Sequence, residues 1–346
     1  MPQILNTLYV TQEAAYVRLE NDTLCVEVDH QKKIQVPLHH IGSVVCFGSA
    51  GMSLPAIHRC ADDGVSVILL DRNGRFKARV EGSTSGNILL RQAHFAKAGE
   101  PDFCLKIARN MLAGKIRNTR HLMVRGVRDN KDIPPEDVKR LREEALYFGH
   151  VVRKLPHLDN MDTLRGAEGD AAARWFGVVS NLLRIEDKEA FTMNNRTRRP
   201  PLDRFNALIS FIYALLLNDC RSAVESSGLD PQLGFLHTTR PGRASLALDL
   251  MEEFRSIWAD RMALTLINRQ QIQARDFTVS EGGAVLLKDE ARRTVIIAYQ
   301  ERKQEEILYP LTGQKIPLGI VPMVQARILA RVIRGDLENY VPFLVR

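Results

Sequence analysis

The chain has 346 residues, of which 45% are hydrophobic and 26% charged, and this length exceeds what one core usually organises, so two domains are predicted. The balance excludes a disordered, collagen-like or disulfide-framework protein. A formal charge of +7 favours a polyanionic partner without naming one.

From Leu8 to about Val80 the chain runs in short β-rich segments. Thr23 to Val28 alternates apolar and polar side chains, and Val65 to Leu70 reads as a later strand. Turn residues at Glu20-Asn21-Asp22, Asp29 to Lys32 and Asp71-Arg72-Asn73-Gly74 cut this stretch into hairpin-like units, and Ser53 to Cys60 predicts one short helix. Gly82 to Gly86 then reads as a linker, after which the helical period takes over. The fold class expected is α+β. It has an N-terminal sandwich-like β-domain over 1–85, a linker and first helix over 86–98, and a larger all-α catalytic domain over 99–346. Near the end, Ile307 to Pro310 and Lys315 to Leu318 flank Thr312-Gly313-Gln314 and predict a small hairpin.

Ala207 to Leu217 is the longest apolar run. It falls short of the ~20 residues that cross a bilayer, so it reads as a buried core helix and no membrane partner is expected. The start, Met1-Pro2-Gln3-Ile4-Leu5, lacks signal-peptide character. Cys25, Cys46, Cys60, Cys104 and Cys220 form no CxxC pair and sit among apolar neighbours, which predicts buried free thiols and a cytoplasmic setting.

Three later segments carry candidate chemistry. In Leu164 to Arg174, Glu168 stands among Gly166, Ala167, Gly169 and Ala171 to Ala173. Such small neighbours allow a tight helical junction in which the carboxylate needs a partner such as a metal, although an acidic residue in a helix's first turn also suits the dipole. His237 lies just ahead of the Pro241-Gly242 turn, a position that packing or a surface role also explains. From Ser245 to Ser256, helical spacing puts Ser245, Asp249, Glu252 and Ser256 on one narrow stripe, with apolar residues over most of the circle. A helix so apolar is expected to be buried, and buried carboxylates must be paired, protonated or metal-bound; a solvated stripe is the competing account. Two carboxylates and an imidazole make a hard ligand set suited to Mg²⁺ or Mn²⁺.

In combination these motifs resemble the CRISPR-associated protein one family, the integrases that insert spacers during CRISPR adaptation. The resemblance runs through Leu164-Arg165-Gly166-Ala167-Glu168-Gly169-Asp170, His237 with Gly242-Arg243, and Leu248-Asp249-Leu250-Met251-Glu252-Glu253-Phe254-Arg255. Asn206-Ala207-Leu208 with Tyr213, and Gly114-Lys115-Ile116-Arg117-Asn118, add two further family segments. Ser256 stands where many members have proline, which predicts only a local effect on the helix end. The resemblance implies Glu168, His237 and Glu252 as catalytic metal ligands, with Asp249 as an additional ligand or a support behind them. It also implies a homodimer, the small partner CRISPR-associated protein two, and attack of a DNA 3′-hydroxyl on a phosphodiester, together with nuclease activity. Within the family, the variant of compact type I systems, subtype I-C, is the expected one.

Duplex DNA needs a track of cations. Lys115, Arg117 and Arg120 lie in one basic concentration, Arg198 and Arg199 in a Pro-rich loop, and Arg243 beside His237. Aromatics, at 6%, are not interleaved with these charges, so a single-strand stacking surface is not indicated. A partner-independent nuclease and a DNA-binding scaffold with structural carboxylates remain the alternatives.

Overall fold

The computed structural model describes residues 7–72, 74, 76–80, 82, 87–130, 133–193 and 195–345. The expected turn residue Asn73, most of the linker Gly82 to Gly86 and the first six residues lie outside that range. Two compact units divide the chain. One comprises Met1–Gly86 with Val295–Ile307 and Ile316–Ile320, and the other comprises Asn87–Thr294, Leu308–Lys315 and Val321–Arg346.

In the first unit, strands β1 (Thr7–Val10), β2 (Tyr16–Glu20), β3 (Thr23–Val28), β4 (Gln31–Pro37), β5 (Ser43–Phe47) and β6 (Gly51–Met52) precede helix α1 (Leu54–Asp62), which is followed by β7 (Ser66–Leu70) and β8 (Phe76–Val80). They form two four-stranded sheets, β1-β5-β7-β8 and β4-β3-β2-β6. Val17, Leu24 and Val26 from one sheet share a core with Val44, Cys46 and Val67 from the other, and Ala56 and Cys60 of α1 join it. This is a sandwich-like arrangement, with apolar positions of period two facing inward. Asn21 and Asp29 turn the chain at φ 52° and 51°, a left-handed conformation that Asn and Asp tolerate better than most residues. The hairpin reading holds for β2–β3–β4 and β7–β8. Strands β5 and β7 pair in parallel, with α1, the short helix expected over Ser53 to Cys60, between them in sequence; Ser53 caps that helix by accepting from the Ala56 amide.

The second unit is mainly helical. It contains α2 (Ile88–Ala98), α3 (Pro101–Asp129), α4 (Pro135–Lys154), α5 (Met161–Val178), α6 (Arg204–Ser226), α7 (Ser245–Met251) and α8 (Arg261–Asn268). Side-chain caps start three of these: Asn87 for α2, Asn160 for α5 and Asp203 for α6. Helix α6 is long and apolar enough to cross a membrane, but 67% of its most apolar window is buried within the protein, which fits a core helix. A short pair, β9 (Phe277–Val279) with β10 (Val285–Leu287), departs from the all-α expectation; strands of three residues leave no readable alternation. Helix α9 (Asp289–Gln304) leads to β11 (Glu306–Leu308), which pairs with β12 (Lys315–Pro317) in the expected hairpin, and α10 (Val321–Arg334) follows.

Candidate active site

Asp249 organises the site from within α7. Its Oδ2 accepts the amides of Phe235 and Leu236 at 2.6 and 2.9 Å, and its Oδ1 accepts the His237 amide at 2.9 Å and the His237 Nδ1 at 2.6 Å. A carboxylate only accepts, so Nδ1 carries the proton and Nε2 faces the other way. That nitrogen lies 3.7 Å from Glu252 Oε1. The loop fits against α7 because residue 234 is glycine: a Cβ there would stand 2.8 Å from Asp249 Oδ2.

The backbone changes winding at Glu252. The Glu252 amide bonds back to Asp249 O at 3.2 Å and the Phe254 amide to Met251 O at 3.0 Å, a three-residue tightening. Residues Arg255–Asp260 then form a wide π-type turn that leads into α8, a distortion often found where function requires a redirected side chain. Here it brings Arg255 Nε to 2.9 Å from Glu252 Oε1. The whole polar stripe expected from the sequence, Ser245, Asp249, Glu252 and Ser256, is buried, as the narrowness of its arc demands.

A cation completes the cluster. Lys115 of α3 contacts Glu168 Oε1 of α5, and its Nζ stands 2.8 Å from Glu252 Oε2. Burial would push the Glu252 carboxyl up, but Arg255, Lys115 and His237 outweigh it and hold the group well below the usual carboxylate range. Burial likewise pulls the Lys115 amine down, and Glu252 and Glu168 reverse that into a net rise. Glu252 and Lys115 thus each hold the other in its ionised form. The Lys115 ammonium, 2.8 Å away, is the partner of the buried Glu252 Oε2, which takes no further hydrogen bond.

Glu168, His237 and Glu252 all line one cavity of about 300 Å³. Among the described residues no three His, Cys, Asp or Glu side chains are close enough to hold one ion directly; the two glutamates meet through the Lys115 ammonium instead. Their chemistry nevertheless fits a hard divalent cation, with two carboxylates about a point already occupied by the Lys115 ammonium and an imidazole nitrogen 3.7 Å from Glu252 Oε1. The expected tight junction around Glu168 is corrected at two positions: a Cβ added at Gly166 or Gly169 meets no atom within 4 Å. Those glycines face open space, so the small residues there do not seat another backbone.

The basic candidates separate. Lys115 stands between the glutamates, and Arg198 and Arg243 line the same cavity. Arg117 and Arg199 are exposed, and Arg120, also exposed, donates to the Ala145 carbonyl on α4. The sequence reading assigns no role to Arg255, which stands only as part of the third motif, and does not single out Asp260, which accepts from Tyr213 Oη at 2.6 Å and Trp175 Nε1 at 2.7 Å behind the site. Glu253 likewise stands in that motif without a role; burial pushes this carboxyl up to about 8 against three hydrogen-bond donors from Tyr340, Phe343 and Gln325. Their signal was present as charge inside an otherwise apolar helix, but not the direction each side chain takes.

Fold and site together define a two-unit α+β protein whose helical unit carries a carboxylate–imidazole centre walled by arginines. The family model "CRISPR associated protein Cas1" matches residues 8–301, and the chain belongs to that family, as its motifs implied. It is 52% identical over 345 residues to a Moorella thermoacetica protein named CRISPR-associated endonuclease Cas1 1, covering 99% of each chain. In structure it is similar to a casposase bound to integration product (TM-score 0.83, 22% identity, 97% of this chain and 92% of that one). It also resembles a chain of a Cas6-RT-Cas1–Cas2 complex (TM-score 0.81, 24% identity), where it covers 99% of its own length and spans 36% of the longer chain.

Proposed function

We propose that the protein is a CRISPR adaptation integrase, a metal-dependent DNA endonuclease and transesterase that joins a DNA 3′-hydroxyl to a phosphodiester of the repeat. The observation that carries this reading is that Glu168, His237 and Glu252 line one basic cavity, with the Lys115 ammonium between the two glutamates and His237 Nε2 3.7 Å from Glu252 Oε1, within a chain of the Cas1 family. Glu168, His237 Nε2 and Glu252 Oε2 would hold Mg²⁺ or Mn²⁺. Such an ion, when bound, stabilises charge on a phosphoryl oxygen and makes a hydroxyl or water more acidic.

The remaining residues prepare that centre. Asp249 has its lone pairs filled by three amides and the ring, so its role is to lock the His237 tautomer from behind rather than to join the ligands. Arg255 and Lys115 keep Glu252 ionised. Arg198 and Arg243 face the same cavity and serve as phosphate contacts. Double-stranded DNA, a second copy of the chain and the small partner CRISPR-associated protein two complete the assembly, in the cytoplasm. The complex and the casposase product structure named above support the DNA and the small partner.

The test is strand transfer of a 3′-hydroxyl DNA end into a supercoiled repeat-bearing target in Mn²⁺, with and without the small partner. Glu168→Gln, His237→Ala and Glu252→Gln should each lower the rate by about 100-fold or more, since even supports behind a ligand set are worth ~10- to 100-fold. Thermal melts should show that each variant still folds. A triple variant that joins ends at the wild-type rate would overturn the proposal, and product formed with water alone would favour a partner-independent nuclease.

A further inference from the structure

We propose that Lys115 is a resident counter-ion of the Glu168–Glu252 pair, displaced by the incoming divalent cation and then paired with a substrate phosphate. This rests on the metal reading above. The geometry first sets the two cations in competition for the place between the glutamates. The ammonium stands 2.8 Å from Glu252 Oε2, whereas Mg²⁺ sits at about 2.1 Å from its oxygen ligands. An ion bound between Glu168 and Glu252 Oε2 would take the place where the ammonium now stands, at short range and with like charge. One cation must leave.

Lys115 is the one built to move. Its side chain is a flexible stem with a point charge, unlike the planar fork of Arg255, which donates from Nε to Glu252 Oε1. Its backbone, by contrast, is fixed on both sides. A Cβ on Gly114 would stand 2.7 Å from Pro342 Cβ, Asn118 donates to the Glu253 and Phe343 carbonyls, and Thr119 Oγ1 donates to the Lys115 carbonyl. The change is therefore confined to side-chain rotation.

Once released, the ammonium finds no waiting anion. Arg165, Arg198, Arg243 and Arg255 line the cavity with it, and the remaining lining carboxylate, Asp260, already accepts from Tyr213 and Trp175. A buried charge without a counter-charge is strongly disfavoured. A phosphodiester brings the missing anion into the same cavity. Ion and DNA then reinforce each other, because each satisfies a charge that the other exposes, and this coupling is reciprocal.

The experiment is calorimetric titration of Mn²⁺ into the full chain, with and without a short DNA duplex. Lys115→Met, without DNA, should bind Mn²⁺ about tenfold more tightly than wild type, and the duplex should tighten Mn²⁺ binding in wild type but not in the variant. Equal or weaker Mn²⁺ binding by a folded Lys115→Met protein would overturn the proposal. If that variant does not fold without the ion, Lys115→Gln decides by its melting temperature: a larger Mn²⁺-induced rise than wild type supports the proposal, and an equal or smaller rise overturns it. Wild-type protein whose Mn²⁺ binding is absent, or persists in Glu252→Gln, defeats the metal reading and this inference with it. Wild-type binding that Glu252→Gln abolishes, unaccompanied by any gain in Lys115→Met, defeats the inference about the lysine alone.

Discussion

Asp249 shows how much of a reactive centre can depend on a residue that need not touch the reacting atoms. Its four acceptor positions are filled by three amides of residues 235–237 and by the imidazole, so the loop and the ring are set by one side chain. Gly234 makes room for this arrangement, since a Cβ there would also stand 2.8 Å from the Ser245 backbone carbon. Backbone cannot rotate out of the way as a flexible side chain can. Gly234→Ala should therefore shift the loop, destabilise the protein by about 1–3 kcal/mol and weaken Mn²⁺ binding by about 10- to 100-fold. Urea unfolding and Mn²⁺ calorimetry measure the two effects separately. A variant with lowered stability but wild-type affinity would show that the ring keeps its orientation without the brace. The sequence marks Asp249 clearly, as a polar position on an apolar helix, but it gives Gly234 no chemical signal; the glycine matters through a distance that only folding creates.

At the scale of an element, the sequence reading and the structure part company over Ser245–Ser256. One continuous helix was the natural expectation, because no glycine or proline interrupts those residues. The chain instead tightens at Glu252 and widens from Arg255. The C-terminal segment packs behind that break: Tyr340 and the Phe343 amide donate to the Glu253 carboxylate, and the Phe343 ring stacks at 6.0 Å from Phe254 and 6.1 Å from Tyr309. The contacts to Glu253 join residues about 90 positions apart, too distant for local propensity to register. They also give the element a pH dependence. The Glu253 carboxyl, with its ordinary value of 4.5, is raised to about 8 by burial, so above pH 4.5 the unfolded chain releases a proton that the folded chain retains. The stabilisation is complete below the ordinary value and is lost as pH rises toward the folded one. Between about pH 5.5 and pH 7 the wild type should lose roughly 1.4 kcal/mol per pH unit from this group, and less as pH 8 is approached. Glu253→Gln should flatten that slope in urea unfolding, and identical slopes for the two proteins would place the titration elsewhere.

Across the whole molecule, bulk charge and periodicity were legible early. The alternating run Thr23 to Val28 is strand β3 itself, and the apolar run from Ala207 lies within the buried helix α6. What sequence could not show is partner choice among charges. Lys115 and Glu168 are 53 positions apart, and as text Lys115 is one more cation in a basic stretch. The formal charge of +7 says that an anion is welcome, whereas the cavity says where: five cationic side chains and three carboxylates line it. If duplex DNA enters there, the cavity arginines release counter-ions on binding, and Arg198→Ala and Arg243→Ala should each reduce the slope of log affinity against log salt by about 0.9. Arg184, which is exposed and does not line the cavity, provides the comparison, and Arg184→Ala should leave the slope near that of wild type. Fluorescence anisotropy with a labelled duplex over a salt series reads all three. Wild-type slopes in both cavity variants would mean that the phosphate backbone runs elsewhere, and that the positive wall around Glu168 and Glu252 serves the carboxylates instead of the DNA.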